Sequence, residues 1–453
     1  MSPLSFKKLW SRRTFLKLSA AGLSSIFVDP FRRVLGSEAA DSLSNPLFWV
    51  DEIPDQPFVS AKSPNSHIGL EALLVLIGAN GLKFYRSADT GPLAGPQGLI
   101  AADDVVLIKV NAQWKHRGCT NSDLIRGLVQ RILDYPGGFQ GEVVIMENGQ
   151  GRGSLACDTS SAYGGDDSIQ ANANDPRHSF LYLVNTLFND SRVSAKLLDP
   201  IRGKFLSADD HVTDGYRAYK DVSYPCFTTA GGHRVELREG IWNGSGHTAS
   251  LKLINVPVLK HHDVGGSEIT ASLKHVYGIL SMGDGYSGRR HYDKLGQTAG
   301  TMMAEVKTPV LNIIDAIWVS HRSITGYPAD TTFRANQLLA SQDPVALDYW
   351  AAKHILYPID EDERHHPDFI GIDYWLTQAR ETINAHPGGL ADSSSGIQVG
   401  LVTQDENQME VLSDSALNFL EKGPIPGIRD PRDPKTAAAR VRTSERRNTA
   451  ARS

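Results

Sequence analysis

The sequence is poor in cysteine and contains no long apolar run. Its 453 residues include three cysteines and no Cys-x-x-Cys pair, so one chain lacks the four thiolates that hold an iron–sulfur cluster, and we expect no such cluster. No window approaches the ~18 consecutive apolar residues of a transmembrane helix, which excludes a multi-span membrane protein. The G-x-S-x-G and Walker A patterns are also absent, so the commonest hydrolases and NTPases have no support.

Excess positive charge, which nucleic-acid binding would need, is absent from the body of the chain. The formal net charge of −5 combines +5 in residues 1–40, +5 in residues 424–453 and −15 in residues 41–423. An acidic body repels the phosphate backbone, so we expect no nucleic-acid partner. The basic tail 424–453 carries four prolines and then mostly Ala and Arg, a composition that predicts disorder.

The N-terminus combines a basic segment with a modest apolar run. The stretch SRRTFLK (11–17) stands before the apolar stretch 18–28, and it resembles the twin-arginine export signal. We therefore expect residues 1–40 to be a signal peptide that engages the twin-arginine translocase, with the mature chain in a bacterial periplasm or otherwise outside the membrane. The mature chain is expected to have no membrane span. Small residues at Ser37 and Ala39 offer a cleavage point, and an uncleaved signal would act as an anchor.

The three cysteines leave two interpretations open. Cys119, Cys157 and Cys226 are widely separated along the chain. In an oxidising compartment they can form one disulfide with one thiol left over, or they can be three buried thiols.

Alternating strand and helix patterns predict an α/β fold with a mainly parallel sheet flanked by helices. The apolar runs at 105–110 and 142–147 predict strands, and the helical pattern at 121–135 between them, with Thr120 as its N-cap, completes a βαβ unit. Residues 41–102 are interpreted as a lead-in segment with a helix over 66–82. The Gly- and Asp-rich stretch 149–250 is interpreted as a large irregular insertion that covers the site, with a hairpin at 233–242.

The same patterns continue after the insertion. Further strands are predicted at 251–259, 310–317, 334–341 and 397–403, and further helices at 267–280, 344–356 and 374–385. The helix at 344 has a start signal, since Asp343 can be its N-cap and Pro344 its first residue.

Polar residues follow four of these predicted strands. They are Lys109 and Asn111, then Glu147, then Lys260 and His262, and finally Asp315. Ligands of parallel α/β sheets bind outside the carboxyl ends of the strands. If these strands are neighbours, the polar side chains converge on one rim of the sheet.

The segment 257–293 is the densest in potential chemistry. It holds four cations (Lys260, Lys274, Arg289 and Arg290) and four histidines (His261, His262, His275 and His291). Thr270 and Lys274 are four residues apart, so in the predicted helix they share a face. Converging lysines in an acidic protein favour a small anionic ligand, a carboxylate or a phosphate. The alternative is that these cations pair with local acids.

A divalent metal is a rival interpretation of the same segment. His262, Asp284 and His291 supply nitrogen and oxygen ligands. Their spacing matches no standard zinc motif, so the identity of any cofactor stays open.

Several blocks together resemble the family called domain of unknown function 362 (DUF362). They are VLIKVN, TNSDLIRGLV, VVIMENGQG, NVPVLKHHDVGGSEITASLKHVYGIL, LNIIDAI and LLASQDPVALDYWAAKHI. The resemblance covers about 103–147 and 251–356, and it implies a domain over 103–423. The polar residues that recur in the family fall on Lys109, Asn111, Thr120, Asn121, Lys260, His262, Thr270, Lys274, Asp315, Ser341, Asp343 and Asp348. Some members carry a ferredoxin-like segment whose cysteines this chain lacks, and the family implies no settled reaction.

We therefore expect an exported protein that binds a small anionic molecule at the strand ends, with an enzyme favoured over a pure binder. In this hypothesis Lys109, Lys260 and Lys274 hold the anion, His262 carries a proton and Asn111 orients the ligand. The alternatives are a non-catalytic ligand-binding or assembly protein, and a metal-dependent enzyme loaded before export. The catalytic candidates are His262, Lys274 and Lys260, and the ligand-binding candidates are Lys109, Asn111, Thr120, Asn121, Glu147, Thr270, Arg289, Asp315, Asp343 and Asp348.

Overall fold

The computed structural model describes residues 46–58, 63–150, 153–158, 168–198, 205–262, 268–281, 283 and 293–386, together with the backbone of 397–402 and 409–412. The predicted signal peptide 1–40 and the predicted disordered tail 424–453 lie outside the described residues. Within the described part, we find no helix with the length and apolar composition that a membrane crossing needs.

The described residues form strands, helices and short helical turns. In chain order the strands are β1 (Leu47–Asp51), β2 (Tyr85–Arg86), β3 (Ala94–Gly95), β4 (Val105–Val110), β5 (Glu142–Asn148), β6 (Val193–Leu198), β7 (Gly215–Tyr219), β8 (Val222–Thr228), β9 (Arg234–Glu236), β10 (Gly240–Trp242), β11 (His247–Thr248), β12 (Leu251–Val256), β13 (Val258–His261), β14 (Ile269–Thr270), β15 (Leu311–Ser320), β16 (Thr332–Ser341), β17 (Ile397–Val402) and β18 (Met409–Leu412). The helices are α1 (Ile68–Ala79), α2 (Ser122–Leu133), α3 (Phe180–Tyr182), α4 (Ser272–Val276), α5 (Leu295–Thr301), α6 (Pro344–Ala351), α7 (Tyr357–Asp360) and α8 (Ile370–Asn384). Turns of 3-10 or π-helix are His116–Gly118, Leu183–Phe188, Tyr277–Ile279, Met302–Val306, Ala329–Thr331, Ala352–Leu356 and Glu363–His365.

The main sheet is mixed, with a parallel centre. Its described strands run in the order β18-β17-β1-β16-β15-β12-β4-β5-β6, and β13 pairs with β15 and β14 beside this path. Strands β15, β12, β4, β5 and β6 pair in parallel, whereas β16 is antiparallel to both β15 and β1. The predicted α/β fold with a mainly parallel sheet is confirmed. The strands predicted to end in polar residues, β4, β5, β12–β13 and β15, are neighbours.

Helices cover both faces of this sheet, as a parallel sheet requires. Alternate residues of β4 enter two different apolar clusters, Leu107 one and Ile108 the other, because successive side chains of a strand point to opposite faces. One cluster includes Leu70 of α1 and Leu128 of α2. The other includes residues of α4, α5, α6 and α8, with Trp375 fully buried in it.

The segment between β5 and β12 is more regular than the sequence predicts. It adds β6 to the main sheet, and β7 to β11 form a separate antiparallel sheet in the order β11-β10-β9-β8-β7. The predicted hairpin is confirmed by the pairing of β9 with β10. Glycines and aspartates at its turns give the segment a loop-like composition although its short strands pair along their length.

Two expectations about helix starts are wrong. The predicted helix at 267–280 begins only at Ser272, since Ile269 and Thr270 form β14 and pair with β13, as suits β-branched residues. Thr270 and Lys274 therefore share no helix face. The N-cap of α2 is Asn121 rather than Thr120, and its side chain accepts a hydrogen bond from the Leu124 amide.

Other local expectations are confirmed. Asp343 is the N-cap of α6, where its carboxylate accepts from the amides of Val345 and Ala346, and Pro344 is the first helical residue. The three cysteines are all free and buried, so the interpretation as three buried thiols is the one the structure shows.

Candidate functional site

A small pocket opens at the carboxyl ends of the neighbouring strands β4 and β5 and of strand β13. Its empty space is about 420 Å³ when the open solvent at its mouth is counted. Its lining residues are Lys109, Asn111, Gln113, Trp114, Glu147, Gln150, Lys260, His262, Thr270, Lys274, His275, Tyr277, Gly278 and Ile324. The structure thus brings together seven of the predicted site residues, namely Lys109, Asn111, Glu147, Lys260, His262, Thr270 and Lys274.

Lys109 and Glu147 form a buried ion pair at the floor of this pocket. The Lys109 ammonium donates to Glu147, to the Val110 carbonyl at 2.9 Å and to Nε2 of His275 at 3.1 Å. An ammonium has three protons to donate, and these three acceptors engage all of them. An anion in the pocket therefore meets Lys109 through its electric field rather than through a direct hydrogen bond.

His275 links this ion pair to the interior of the sheet. Its Nδ1 lies 2.7 Å from Oδ1 of Asn255, whose amide nitrogen donates to the Ser272 carbonyl and to Asn312. Because Asn255 presents its oxygen, the proton of a neutral His275 sits on Nδ1 and Nε2 accepts from Lys109. Burial and the nearby charge of Lys109 hold the pKa of His275 well below its ordinary value, so the ring is neutral at physiological pH.

Burial also brings the pKa values of the two partners of the ion pair toward each other. It raises the pKa of Glu147 to about 7, although the charges of Lys109 and Lys260 oppose this shift. It lowers the pKa of Lys109, and Glu147 opposes that shift. A carboxyl group whose pKa lies near 7 can give and take a proton at working pH, so Glu147 is suited to proton transfer.

Two further lysines stand on the walls of the pocket. Lys260 of β13 is buried, pairs in register with Thr270 and donates from Nζ to the Gly118 carbonyl at 2.6 Å. Lys274 of α4 has its Nζ 5.9 Å from the ring centre of Tyr277. Among the lining residues that the structure describes, three lysines therefore face one carboxylate, that of Glu147.

Thr120, Asn121 and Asp315 do not line the pocket. The Thr120 hydroxyl accepts from the Asn111 amide and donates to the Val256 carbonyl, both at 2.8 Å. Asp315 lies inside β15, not at its end, and accepts from the Asn121 amide at 2.7 Å. Burial raises the pKa of Asp315 to about 7. These contacts fix the turn between β4 and α2, which carries Asn111.

Asp343 and Asp348 also lie away from the lining. Asp343 caps α6, as described above. Asp348, inside α6, accepts from the amides of Ser272 at 2.7 Å and Leu273 at 2.9 Å and from the Ser272 hydroxyl. It therefore caps α4, the helix that carries Lys274 and His275. Burial raises the pKa of Asp348 to about 7 against these hydrogen bonds.

The remaining candidates cannot be placed. Arg289, Asp284 and His291 lie outside the described residues, and so does Arg290. Of the suggested metal ligands, His262 alone is described, and it lines the pocket.

Sequence reasoning singled out no role for several lining residues. They are Gln113, Trp114, Gln150, His275, Tyr277, Gly278 and Ile324. Gln113 and Gln150 could have been found, because each follows a strand whose end was already marked as a site. The sequence does not distinguish His275 from the other three histidines of the segment 257–293, because the helical pattern does not show which face of the helix is turned toward the pocket.

The comparison with known families agrees with part of the predicted resemblance. No curated protein and no solved structure matches the chain. Residues 244–353 match the family model described as Domain of unknown function (DUF362). This stretch holds Lys260, His262, Thr270, Lys274 and His275 of the pocket, whereas Lys109 and Glu147 precede it. Over residues 244–353, the chain is thus confirmed to resemble the DUF362 family.

Proposed function

We propose that the pocket binds a small carboxylate or phosphate and carries out proton transfer on it. The observation that carries this proposal is the gathering of Lys109, Lys260 and Lys274 around one pocket in a chain whose body is strongly acidic. Glu147 offsets one of these positive charges through its ion pair with Lys109. Three ammonium groups that line one pocket favour an anionic ligand there.

The residues divide between binding and proton transfer. Lys260 and Lys274 bind the anion from the pocket walls. Glu147, with its pKa near 7, exchanges a proton with the ligand, and Lys109 keeps the carboxylate in place. His262 lines the same pocket and is the second proton carrier.

Calorimetric titration with inorganic phosphate, and separately with acetate, tests the binding step. We expect Lys274→Met and Lys260→Met each to weaken binding of at least one probe by about 10-fold or more, because each substitution removes one charge-assisted hydrogen bond to the anion. Lys353→Met is the matched control, because Lys353 packs on Tyr349 and lies outside the pocket lining. Equal binding by the wild-type chain and the three variants would contradict the proposed anion site.

Turnover is tested separately from binding. The chain is incubated in heavy water with a panel of small carboxylic acids and phosphate monoesters, and NMR detects product or deuterium exchange. We expect Glu147→Gln and His262→Gln to lose turnover while probe binding stays within a few-fold. A ligand that binds in the pocket but is neither converted nor exchanged by the wild-type chain would favour the alternative, a ligand-binding or assembly protein without catalysis.

A metal-dependent reaction at this pocket has weaker support. His262 is one candidate ligand, but Asp284 and His291 lie outside the described residues. No described arrangement of groups around His262 favours a metal there over an anion.

We also propose that the protein is exported by the twin-arginine route. The support is the segment 11–17, with Arg12 and Arg13 followed by Phe15 and Leu16. Cell fractionation of a bacterium expressing the chain tests this proposal. The wild-type chain is expected in the periplasmic or membrane fraction, and an Arg12→Lys/Arg13→Lys variant in the cytoplasm. Cytoplasmic wild-type protein would contradict it.

A further inference from the structure

The separate antiparallel sheet carries a compact cluster of two histidines and one buried glutamate. His211 lies just before β7, Glu236 ends β9 and His247 begins β11. Their three ligand atoms, one from each residue, lie within 4.8 Å of one another. Nδ1 of His211 is 2.5 Å and Nε2 of His247 is 2.9 Å from the Glu236 carboxylate. None of the three residues lines the pocket described above.

We propose that His211, Glu236 and His247 bind a divalent transition-metal ion, zinc being the best fit. Two imidazoles and one carboxylate form a ligand set that zinc uses in sites that keep a fourth position for water or another ligand. Zinc bonds of about 2.0–2.2 Å place tetrahedral ligand atoms roughly 3.3 Å apart. To reach this arrangement the nitrogen–oxygen separations need to widen by less than about 1 Å. The three ligand atoms lie within 4.8 Å of one another, so a pair at that limit needs to close by about 1.5 Å, a change that side-chain rotation can supply.

Contacts with the backbone hold the segments that carry both imidazoles close to Glu236. Arg217 donates to the carbonyls of Ala208 at 2.9 Å and Asp210 at 3.0 Å, on the segment that precedes His211. His247 pairs in register with Trp242 across β10 and β11. A ligand set held by backbone structure is pre-organised, so an ion binding there orders little additional chain.

A metal ion bound at the cluster replaces protons. Without an ion, each imidazole donates an N–H to Glu236. When zinc binds, the lone pairs of His211 Nδ1 and His247 Nε2 form the bonds to the metal, and the proton on each of these nitrogens leaves to solvent or moves to the other ring nitrogen.

Arg217 holds mainly one oxygen of the Glu236 carboxylate. Its NH1 donates to Oε2 at 2.7 Å, the oxygen that His247 also approaches, whereas its NH2 makes only a long contact of 3.5 Å with Oε1, the oxygen that His211 approaches. Oε1 can bond to the ion when NH2 gives up this long contact, while NH1 keeps its hydrogen bond to Oε2. Hydrogen bonds of this kind to a ligating carboxylate are usual around protein-bound metals.

Zinc sulfate alone is the probe for the test. The full chain is stripped with a chelator, dialysed and titrated by calorimetry, with tryptophan fluorescence as a second readout. Trp242 stacks on His211 with ring centres 3.8 Å apart and lies 5.1 Å from His247, so metal binding should change its emission. We expect one zinc ion per chain, and a fluorescence change that Trp242→Phe abolishes without changing the stoichiometry.

Variants identify the ligands. His211→Ala and His247→Ala should each weaken zinc binding by about 100-fold or more, beyond the loss typical of residues that only support a ligand. His233→Ala is the matched control, since His233 belongs to the same region, is partly exposed and approaches Glu142 rather than Glu236. Zinc should also raise the thermal midpoint of the wild-type chain and of His233→Ala, but not of the two ligand variants.

Two results would overturn the proposal. One is no zinc uptake by the wild-type chain. The other is uptake by His247→Ala with the affinity of the wild-type chain, which would place the ion elsewhere. His247 sits in a two-residue strand at the edge of the sheet, so its variant should keep the fold, as circular dichroism will show. That variant decides the question even if His211→Ala does not fold.

Discussion

Lys109 and Glu147 form an ion pair in which neither side chain exposes more than 3% of its surface. The two residues belong to adjacent parallel strands, and they meet where those strands end. Removing one member leaves an uncompensated buried charge. Replacing both by apolar groups of similar size removes the charge altogether, so the two changes should differ sharply in their effect on stability.

We expect Lys109→Met to lower the free energy of unfolding by about 3–5 kcal/mol. Glu147→Leu should have a similar effect, since it leaves the Lys109 ammonium without its carboxylate. The double variant should recover most of this loss, and denaturant unfolding of all four proteins completes the cycle. Additive effects of the two substitutions would show that the pair is not coupled.

Gly278 leaves room for this ion pair. A Cβ at position 278 would lie 3.1 Å from Nζ of Lys109 and 3.4 Å from Oε1 of Glu147. We expect Gly278→Ala to displace the pair, to cost about 1–3 kcal/mol of stability through overpacking and to weaken phosphate binding. Gly91→Ala is the control, because nothing lies within 4 Å of its added Cβ. Unfolding and phosphate titrations should leave the control close to wild type.

The convergence of site residues could be predicted from the sequence because it follows from a general property of parallel sheets. Buried strands are recognisable as runs such as Val105–Val110, and polar residues at their ends meet on one rim once the strands are neighbours. That they are neighbours could not be predicted. Strand order depends on contacts between distant parts of the chain, which periodicity along the sequence does not encode.

The roles of single residues were harder to predict for the same reason. Asp348 caps a helix that begins 76 residues earlier, and His275 accepts from a lysine 166 residues earlier. In sequence, Asp348 is simply an acid inside a helix and His275 one histidine among several. The predicted start of the helix at residue 267 is wrong because the pairing of β14 with β13 overrides the helical pattern of residues 267–271.

The two aspartates of α6 should differ in their effect on the pocket. Asp348→Ala removes the cap of α4, so we expect a loss of about 2–3 kcal/mol and weaker phosphate binding, because Lys274 loses its support. Asp343→Ala should cost about 1 kcal/mol, as an N-cap does, with phosphate binding unchanged. If Asp343→Ala weakens phosphate binding as much as Asp348→Ala, the role of Asp343 extends beyond capping.

Asp315 should make stability depend on pH. Its pKa rises from 3.8 to about 7 on folding because the carboxyl is buried, so the folded chain holds a proton that the unfolded chain has released. The stabilisation from this residue is complete below about pH 4 and is lost as pH rises to about 7. By linkage the loss is at most about 4 kcal/mol.

Other buried groups also make stability depend on pH, and some act in the opposite direction. Burial lowers the pKa of His67 to about 3, for example. The comparison of the wild-type chain with Asp315→Asn therefore isolates the contribution of Asp315. An amide does not titrate, but it also loses one of the acceptors used by the amides of Asn121 and Ile317. We therefore expect Asp315→Asn to be destabilising at about pH 4.5 and progressively less so up to about pH 8, a range that spans the pKa of Asp315 in the folded chain. Denaturant unfolding across this range measures the difference, and a constant difference would mean that Asp315 is ionised in the folded chain throughout.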